Sequence, residues 1–301
     1  MSSPRDWRLL VAVGITVLAW ASAFVVIRYV GPHFSPGSLT LGRLLVGSVV
    51  LTLSMVGRRR VRLGRREWAL VALIGVAWFG VYNLALNAGE RHVDAGTAAM
   101  LIQVAPILIG ALAGLVLAEG FPPMLVIGGL VAFAGTLVIG VASGAFGSAT
   151  STGDADVAGV LLVLLSAVVY SVAMVAQKVV LRRVPGLQVT WLACLVGTVV
   201  TLPFAGQLLH EVAAAPTRSV LGVVYLGVVP TALAFSTWAF ALSRTTAGQL
   251  GVTTYAVPPI AITLGWLLLG EVPALLAMLG GVLSLVGVAI ARRPSRPVAL
   301  P

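Results

Sequence analysis

Runs of apolar residues long enough to cross a membrane recur along the whole sequence. A helix needs roughly 18 or more such residues to span a hydrocarbon core of about 30 Å. Only 9% of the 301 residues are charged, against about 25% in an ordinary soluble domain. Barrel strands would be only about ten residues long. The sequence therefore predicts an all-α membrane protein whose solvent is the lipid bilayer.

Ten transmembrane helices are predicted from these runs. The small-residue stretch "AWASA" (19–23) superficially offers a signal-peptidase site, but the apolar run continues through "FVVI". We therefore expect the first span to be retained. The predicted spans are 9–27, 38–56, 67–88, 96–118, 122–141, 157–178, 187–206, 219–242, 247–270 and 274–291.

The net charge of +10 is concentrated between the apolar spans, most densely in "GRRRVRLGRRE" (57–67). This distribution is typical of the positive-inside rule and does not indicate nucleic-acid binding. With a cytoplasmic N-terminus, most Lys and Arg residues fall on the inner side. We predict a multi-pass protein of a bacterial-type inner (plasma) membrane with both termini cytoplasmic.

An internal repeat divides the chain into two five-helix units. "DAGTAAMLIQVAPILIGALAGLVLAEG" (94–120) aligns with "TAGQLGVTTYAVPPIAITLGWLLLGEV" (246–272), placing Pro106 on Pro258 and Glu119 on Glu271, 152 positions apart. Because five is odd, the second unit must enter the membrane from the opposite side. Inverted repeats are typical of alternating-access transporters. The predicted units are residues 1–142 and 157–301, joined by an outer linker at 143–156.

These residues also carry a family resemblance. Each unit ends in a proline, a long apolar run, a Gly/Ala-Glu pair and a glycine-rich helix, and "GSLTLGRLLVGSVVL" contains Arg43 in the second span. The pattern resembles the EamA family of the drug/metabolite transporter (DMT) superfamily. That resemblance implies a ten-helix permease that exports amino acids or related metabolites. The seventh span, "VTWLACLVGTVV", has no arginine, so any role of Arg43 belongs to one unit.

Glu119 and Glu271 each lie between two predicted helices, with a proline close behind. A carboxylate there can accept hydrogen bonds from the free N–H groups of the next helix and interact with its dipole. The same pair, placed at opposite ends of the membrane by the repeat, could instead act as gates. Both interpretations remain open from the sequence.

Polar and aromatic residues inside the spans are candidates for a substrate pathway, because intramembrane polar groups are costly. Arg43 could snorkel to the interface or bind a substrate carboxylate. Trp78 and Tyr82 share one face of the third span by their i, i+4 spacing. The predicted pathway residues are Trp20, Arg43, Trp78, Tyr82, Asn83, Asn87, Gln103, Tyr170, Thr231, Trp238 and Tyr255.

Several further expectations concern chemistry and partners. The sequence has one cysteine and no metal-ligand spacing or phosphate-binding glycine loop, so we expect no metal, no cofactor and no enzyme activity. The acidic residues fall in loops or near helix ends, which favours facilitated diffusion over proton coupling. Glycines in spans five and ten allow close helix packing, and a homodimer through them is left open. An organic-cation exporter of the same fold, or a passive channel, remains an alternative.

Overall fold

A computed structural model describes residues 7–89, 91, 101–142, 157–269, 275–291 and 293 of the chain. Within these residues all regular structure is helical. The α-helices are α1 (Trp7–Val30), α2 (Pro36–Met55), α3 (Arg65–Ile74), α4 (Asn83–Gly89), α5 (Ala105–Val116), α6 (Pro123–Ala142), α7 (Val157–Val180), α8 (Gly186–Thr201), α9 (Ala205–Ala214), α10 (Thr217–Leu226), α11 (Ala234–Leu242), α12 (Ala247–Thr253), α13 (Val257–Leu269) and α14 (Leu275–Ala291).

Seven helical stretches of the described chain are long and apolar enough to cross a membrane, and three shorter apolar helices accompany them. The chain is thus an all-α membrane protein, as the composition predicts. The short helix α5 has 12 residues, about 18 Å at 1.5 Å per residue, which is less than the bilayer core. The count of ten spans and their inverted arrangement therefore stay predictions.

Local sequence explains where these helices begin and break. Helix α2 starts at Pro36, a residue suited to the first helical turn, and the Ser35 side chain accepts a hydrogen bond from the Ser38 N–H. The predicted seventh span ends at 206, but the helical path continues to Ala214 through a 3-10 turn at Leu202–Phe204. Pro203 lies in that turn and lacks the N–H that would continue an α-helix.

Two π-helical segments interrupt long helices at corresponding positions of the two units. Gly75–Tyr82 separates α3 from α4, and Gly227–Leu233 separates α10 from α11. The wider turns of a π-helix leave some backbone carbonyl groups without their usual N–H donors. Here side chains donate hydrogen bonds to those carbonyl groups. The Asn83 amide donates to the carbonyl oxygens of Trp78 (3.1 Å) and Phe79 (3.0 Å). π-Helical turns are frequent at functional sites.

Helices α2 and α8 cross where equivalent residues of the two units meet. The hydroxyls of Ser48 and Thr198 lie 2.9 Å apart, and these residues are separated by 150 positions. Cys194 Sγ lies 3.7 Å from the carbonyl oxygen of Leu44, again 150 positions away. Such contacts between equivalent residues are expected near the axis that would relate the two predicted units.

The glycine-rich helices α6 and α14 pack face to face within one chain. A Cβ atom on Gly128 would lie 2.3 Å from the backbone nitrogen of Ala291, and one on Gly287 would lie 2.2 Å from that of Ala132. Such distances exclude any side chain, so the glycines permit backbone contact. The glycine faces are therefore used inside the chain, and a homodimer through these helices would need other faces; it stays a prediction.

Candidate functional site: a buried cavity between the two units

A cavity of about 100 Å³ lies among helices from both halves of the chain. Helices α1, α2 and α4 and the first π-helical segment form much of its wall, and α7 and α11 add residues from the second half. Eight of the predicted pathway residues line it: Trp20, Arg43, Trp78, Tyr82, Asn83, Asn87, Gln103 and Tyr170. Nine further residues also line the cavity, and the sequence did not single out most of them. They are Ala23, Phe24, Ile27, Leu86, Ile102, Pro106, Phe235, Thr254 and Val257.

Aromatic rings form one continuous wall of the cavity. Trp78 is 2% exposed, and its ring centroid lies 4.9 Å from those of both Tyr170 and Phe235. Trp20 packs edge-on against Phe235 at 5.6 Å, and Tyr82 lies 5.9 Å from Tyr170. Edge-to-face and tilted ring pairs at these distances are favourable. The wall is therefore a rigid apolar surface built from both halves.

The polar side of the cavity centres on Arg43, which is buried. Its Nε donates to the Thr231 hydroxyl (3.1 Å), and its Nη1 donates to the Asn83 amide oxygen (3.2 Å). Thr231 in turn donates to the carbonyl oxygen of Leu226 (2.8 Å) in the second π-helical region. The guanidinium is thus held by one π-helical region from each half of the chain.

Two other cavity residues have unused hydrogen-bonding capacity. Gln103 is 5% exposed, and its amide makes no hydrogen bond within the described part of the chain. The buried Tyr170 hydroxyl has no hydrogen-bond partner there either. Asn87, by contrast, donates to the Thr40 hydroxyl at 3.1 Å. Buried polar groups without partners are costly unless a ligand or water completes them.

Three predicted pathway residues do not line the cavity. Thr231 lies behind Arg43, and the fully buried Trp238 stacks behind Trp20 with ring centroids 4.8 Å apart. Tyr255 points elsewhere: its ring lies 6.3 Å from that of Phe133 on α6. In the same 3-10 turn, Thr254–Ala256, it is Thr254 that lines the cavity.

Glu119 is a helix cap, but not of the helix that follows it. Its carboxylate accepts hydrogen bonds from the backbone N–H groups of Ala247 (3.0 Å) and Gly248 (3.3 Å), the start of α12 in the other half. The next helix, α6, begins at Pro123, directly after Pro122, and neither proline has an N–H to donate. Glu271 lies outside the described residues, so its role as a cap or gate stays a prediction.

Lys178 contacts the same turn from its other end, and the sequence did not single it out as a site residue. Its ammonium donates to the carbonyl oxygens of Leu242 (2.7 Å) and Thr245, at the end of α11. A cation there satisfies terminal carbonyls and the helix dipole. The turn 243–246 between α11 and α12 is consequently held by a cation at one end and a carboxylate at the other.

A polytopic helical membrane protein with a buried, partly polar cavity between two halves belongs to the class of solute transporters rather than enzymes. Comparison with known proteins agrees. The model of the EamA-like transporter family matches residues 7–141 and again 157–293. The chain belongs to the EamA-like transporter family.

Named relatives and a solved structure extend this result. The chain is 38% identical over 284 residues to a probable terminal-alkyne amino-acid exporter of Streptantibioticus cattleyicolor, covering 94% of this chain and 92% of that protein. It is 28% identical to the aromatic amino acid exporter YddG of Ancylobacter novellus, covering 84% and 86%. A crystal structure 24% identical in sequence aligns with a TM-score of 0.78 over 96% of this chain and 97% of its own, which supports the fold.

Proposed function

We propose that the protein exports amino acids or related small metabolites across a bacterial-type inner membrane by alternating access. The observation that carries this proposal is the cavity itself: its aromatic and amide walls come from both halves of the chain. A cavity at such a junction opens to either side when the halves rock against each other. The names of two relatives support amino-acid export as the direction and cargo.

Equivalent contacts support the inverted arrangement of the halves. A Cβ on Gly227 would lie 2.8 Å from the Arg43 carbonyl oxygen, and one on Gly75 would lie 2.7 Å from that of Ala193. The two glycines are 152 positions apart, and the two carbonyls are 150 apart. The same close contact therefore occurs twice with the halves exchanged, as two-fold related units require.

The turn between α11 and α12 would serve as the inner gate in this mechanism. With cytoplasmic termini, Glu119 and Lys178 lie at the inner membrane face, where they join α5 and α7 to this turn. Opening the inner side requires these charged contacts to separate. By the repeat, we predict that Glu271 is the corresponding gate residue at the outer face.

We propose that transport is facilitated diffusion, driven by the concentration gradient of the solute alone. Among the described residues that line the cavity, none is Asp, Glu or His. A proton-coupled carrier needs a titrating group that faces each side in turn. The solute gradient built by metabolism would then drive export.

Proteoliposomes containing the purified protein test the proposed function. We expect net flux of leucine or phenylalanine down its own gradient without a pH gradient, and this net flux should stop when the solute concentrations on the two sides are equal. Trp266→Ala, at a ring that is 44% exposed on the outer surface of α13, is the matched control and should leave flux unchanged. Uphill accumulation driven by a pH gradient, or flux that rises without saturation as in a channel, would contradict the proposal.

A further inference from the structure

Arg43 is a buried cation without a carboxylate partner among the residues that the structure describes. It is 6% exposed, and its two hydrogen bonds go to neutral acceptors, Thr231 and Asn83. A guanidinium has five N–H donors, so most of its donor capacity is unused. Buried charges in proteins are normally paired, because desolvating an unpaired ion is very costly.

The fold does not require a cation at this position. The equivalent residue of the other half is Ala193, which makes the same close backbone contact, there with Gly75. A second contact repeats in the same way. A Cβ on Gly47 would lie 2.8 Å from the Thr231 side chain, and one on the equivalent Gly197 would lie 2.4 Å from the Phe79 side chain. One junction carries an arginine and a threonine, and its counterpart carries an alanine and a phenylalanine. Packing therefore does not explain Arg43.

The geometry points to a ligand, and we propose that Arg43 binds the carboxylate of the transported solute. Arg43 lines the cavity with its remaining donors available, and the guanidinium fork matches a carboxylate in two-point geometry. Thr231 and Asn83 act as positioning residues that fix the fork. This assignment rests on the proposed export function and specifies its substrate class: a monocarboxylate with an apolar or aromatic side chain.

The rest of the cavity suits the other end of an α-amino acid. The unpaired Tyr170 hydroxyl and the Gln103 amide oxygen can accept hydrogen bonds from an ammonium group. The aromatic wall offers ring faces for cation–π contact and for an apolar side chain. Because Arg43 is the charged residue among the described lining residues, a solute whose sole charge is positive is repelled. An organic cation is therefore a poor substrate, which separates this inference from the multidrug alternative.

Matched compounds test which end of the solute is recognised. Leucine and phenylalanine are compared with their decarboxylated forms, isoamylamine and phenethylamine, and with their deaminated forms, 4-methylpentanoate and 3-phenylpropionate. Each compound competes with labelled amino acid for transport in proteoliposomes. Since a hydrogen-bonded charge pair is worth more than a neutral hydrogen bond, loss of the carboxylate should weaken competition at least about tenfold. Loss of the ammonium should weaken competition less.

Variants of Arg43 link this selectivity to one side chain. In Arg43→Gln, the preference for leucine over isoamylamine should fall about tenfold or more, whereas Arg43→Lys should keep part of it. The ratio of two competitors does not depend on the amount of folded protein, so weak expression does not obscure the result. Arg183→Gln is the control, because that side chain is 80% exposed and pairs only with Glu67 among the described residues.

Three outcomes separate the inference from the proposed function. If amino acids are transported and Arg43→Gln keeps the wild-type preference, the carboxylate assignment is wrong although the function stands. If Asp94→Asn, in a segment that the structure does not describe, abolishes the preference as Arg43→Gln does, a chain carboxylate is the partner of Arg43 and the assignment is again wrong. If isoamylamine and phenethylamine are transported in preference to the amino acids, both the assignment and the proposed substrate class fail.

Discussion

The carboxylate of Glu119 lies 3.0 Å from the backbone nitrogen of Ala247, a residue 128 positions away. The turn that presents this carboxylate is tight, since Ala118 and Gly120 both adopt left-handed φ values of 54° and 70°. For an alanine such a conformation costs about 1–2 kcal/mol. Contacts across the chain therefore hold the turn in an unfavourable local geometry. This contact joins the end of α5 to the start of α12.

Glu119→Ala should lower both stability and transport. The lost helix cap costs about 1 kcal/mol, and if the contact is a gate, flux per folded molecule should fall several-fold. Thr246→Ala is the matched control: the Thr246 hydroxyl caps the same helix by accepting from the Gln249 N–H (3.2 Å), entirely within one half. Thermal unfolding and proteoliposome flux are measured for both. If flux per folded molecule is the same in the two variants, Glu119 acts only as a helix cap and not as a gate.

Tyr82→Ala and Trp238→Ala should fail in different ways. Tyr82 is half-buried on the cavity wall, so its loss should reduce transport more than stability. Trp238 is 1% exposed behind that wall, and truncating such a ring costs about 3–5 kcal/mol of unfolding free energy. Melting temperature and flux per folded molecule distinguish the two effects. The same profile for both variants would show that the wall and its backing act as one unit.

Gly128→Val should destabilise the packing of α6 on α14. A Cβ there would lie 2.3 Å from a backbone atom that cannot rotate away, and overpacking of this kind costs about 1–3 kcal/mol or more. Gly110→Val is the control, because a Cβ on Gly110 meets nothing within 4 Å. Thermal unfolding in detergent compares the two. A melting temperature unchanged by Gly128→Val would mean that these helices do not pack tightly in solution.

Reporter fusions test the predicted topology. A reporter that is active only in the cytoplasm should work when fused at Met1 and also at Pro301, because the Lys and Arg residues favour both ends inside. A reporter fused in the 143–156 segment should show the outer side. Opposite sidedness of the two termini would rule out the inverted five-helix arrangement.

The sequence predicts the helical membrane architecture because the bilayer demands long apolar helices with internal hydrogen bonds. It also identifies most of the polar and aromatic cavity wall, because Trp78, Tyr82 and Asn83 are unusual residues for the interior of a span. These signals are local, and they depend on composition and spacing alone. Such features can be recognised without knowing how the helices pack.

Other features depend on packing between the halves and could not be predicted. The partner of Glu119 is a helix end far away in sequence, and the missing N–H groups of Pro122 and Pro123 explain the choice only after the fold is known. The π-helical segment at Gly75–Tyr82 has no sequence signature comparable to a proline. Thr254, and not the neighbouring Tyr255, lines the cavity from a 3-10 turn that the sequence did not predict.

The difference between Arg43 and Ala193 has a kinetic consequence. In alternating access the two halves exchange conformations, so identical halves would present identical sites to the two sides. With a guanidinium in one half only, we expect the outward- and inward-facing sites to have different half-saturation concentrations for the same solute. In a facilitator the turnover rates must differ in compensation, because the solute reaches equal concentrations at equilibrium. The two directions of flux would then be equal in rate at low solute, where the ratio of turnover rate to half-saturation concentration sets the rate, and unequal at saturating solute.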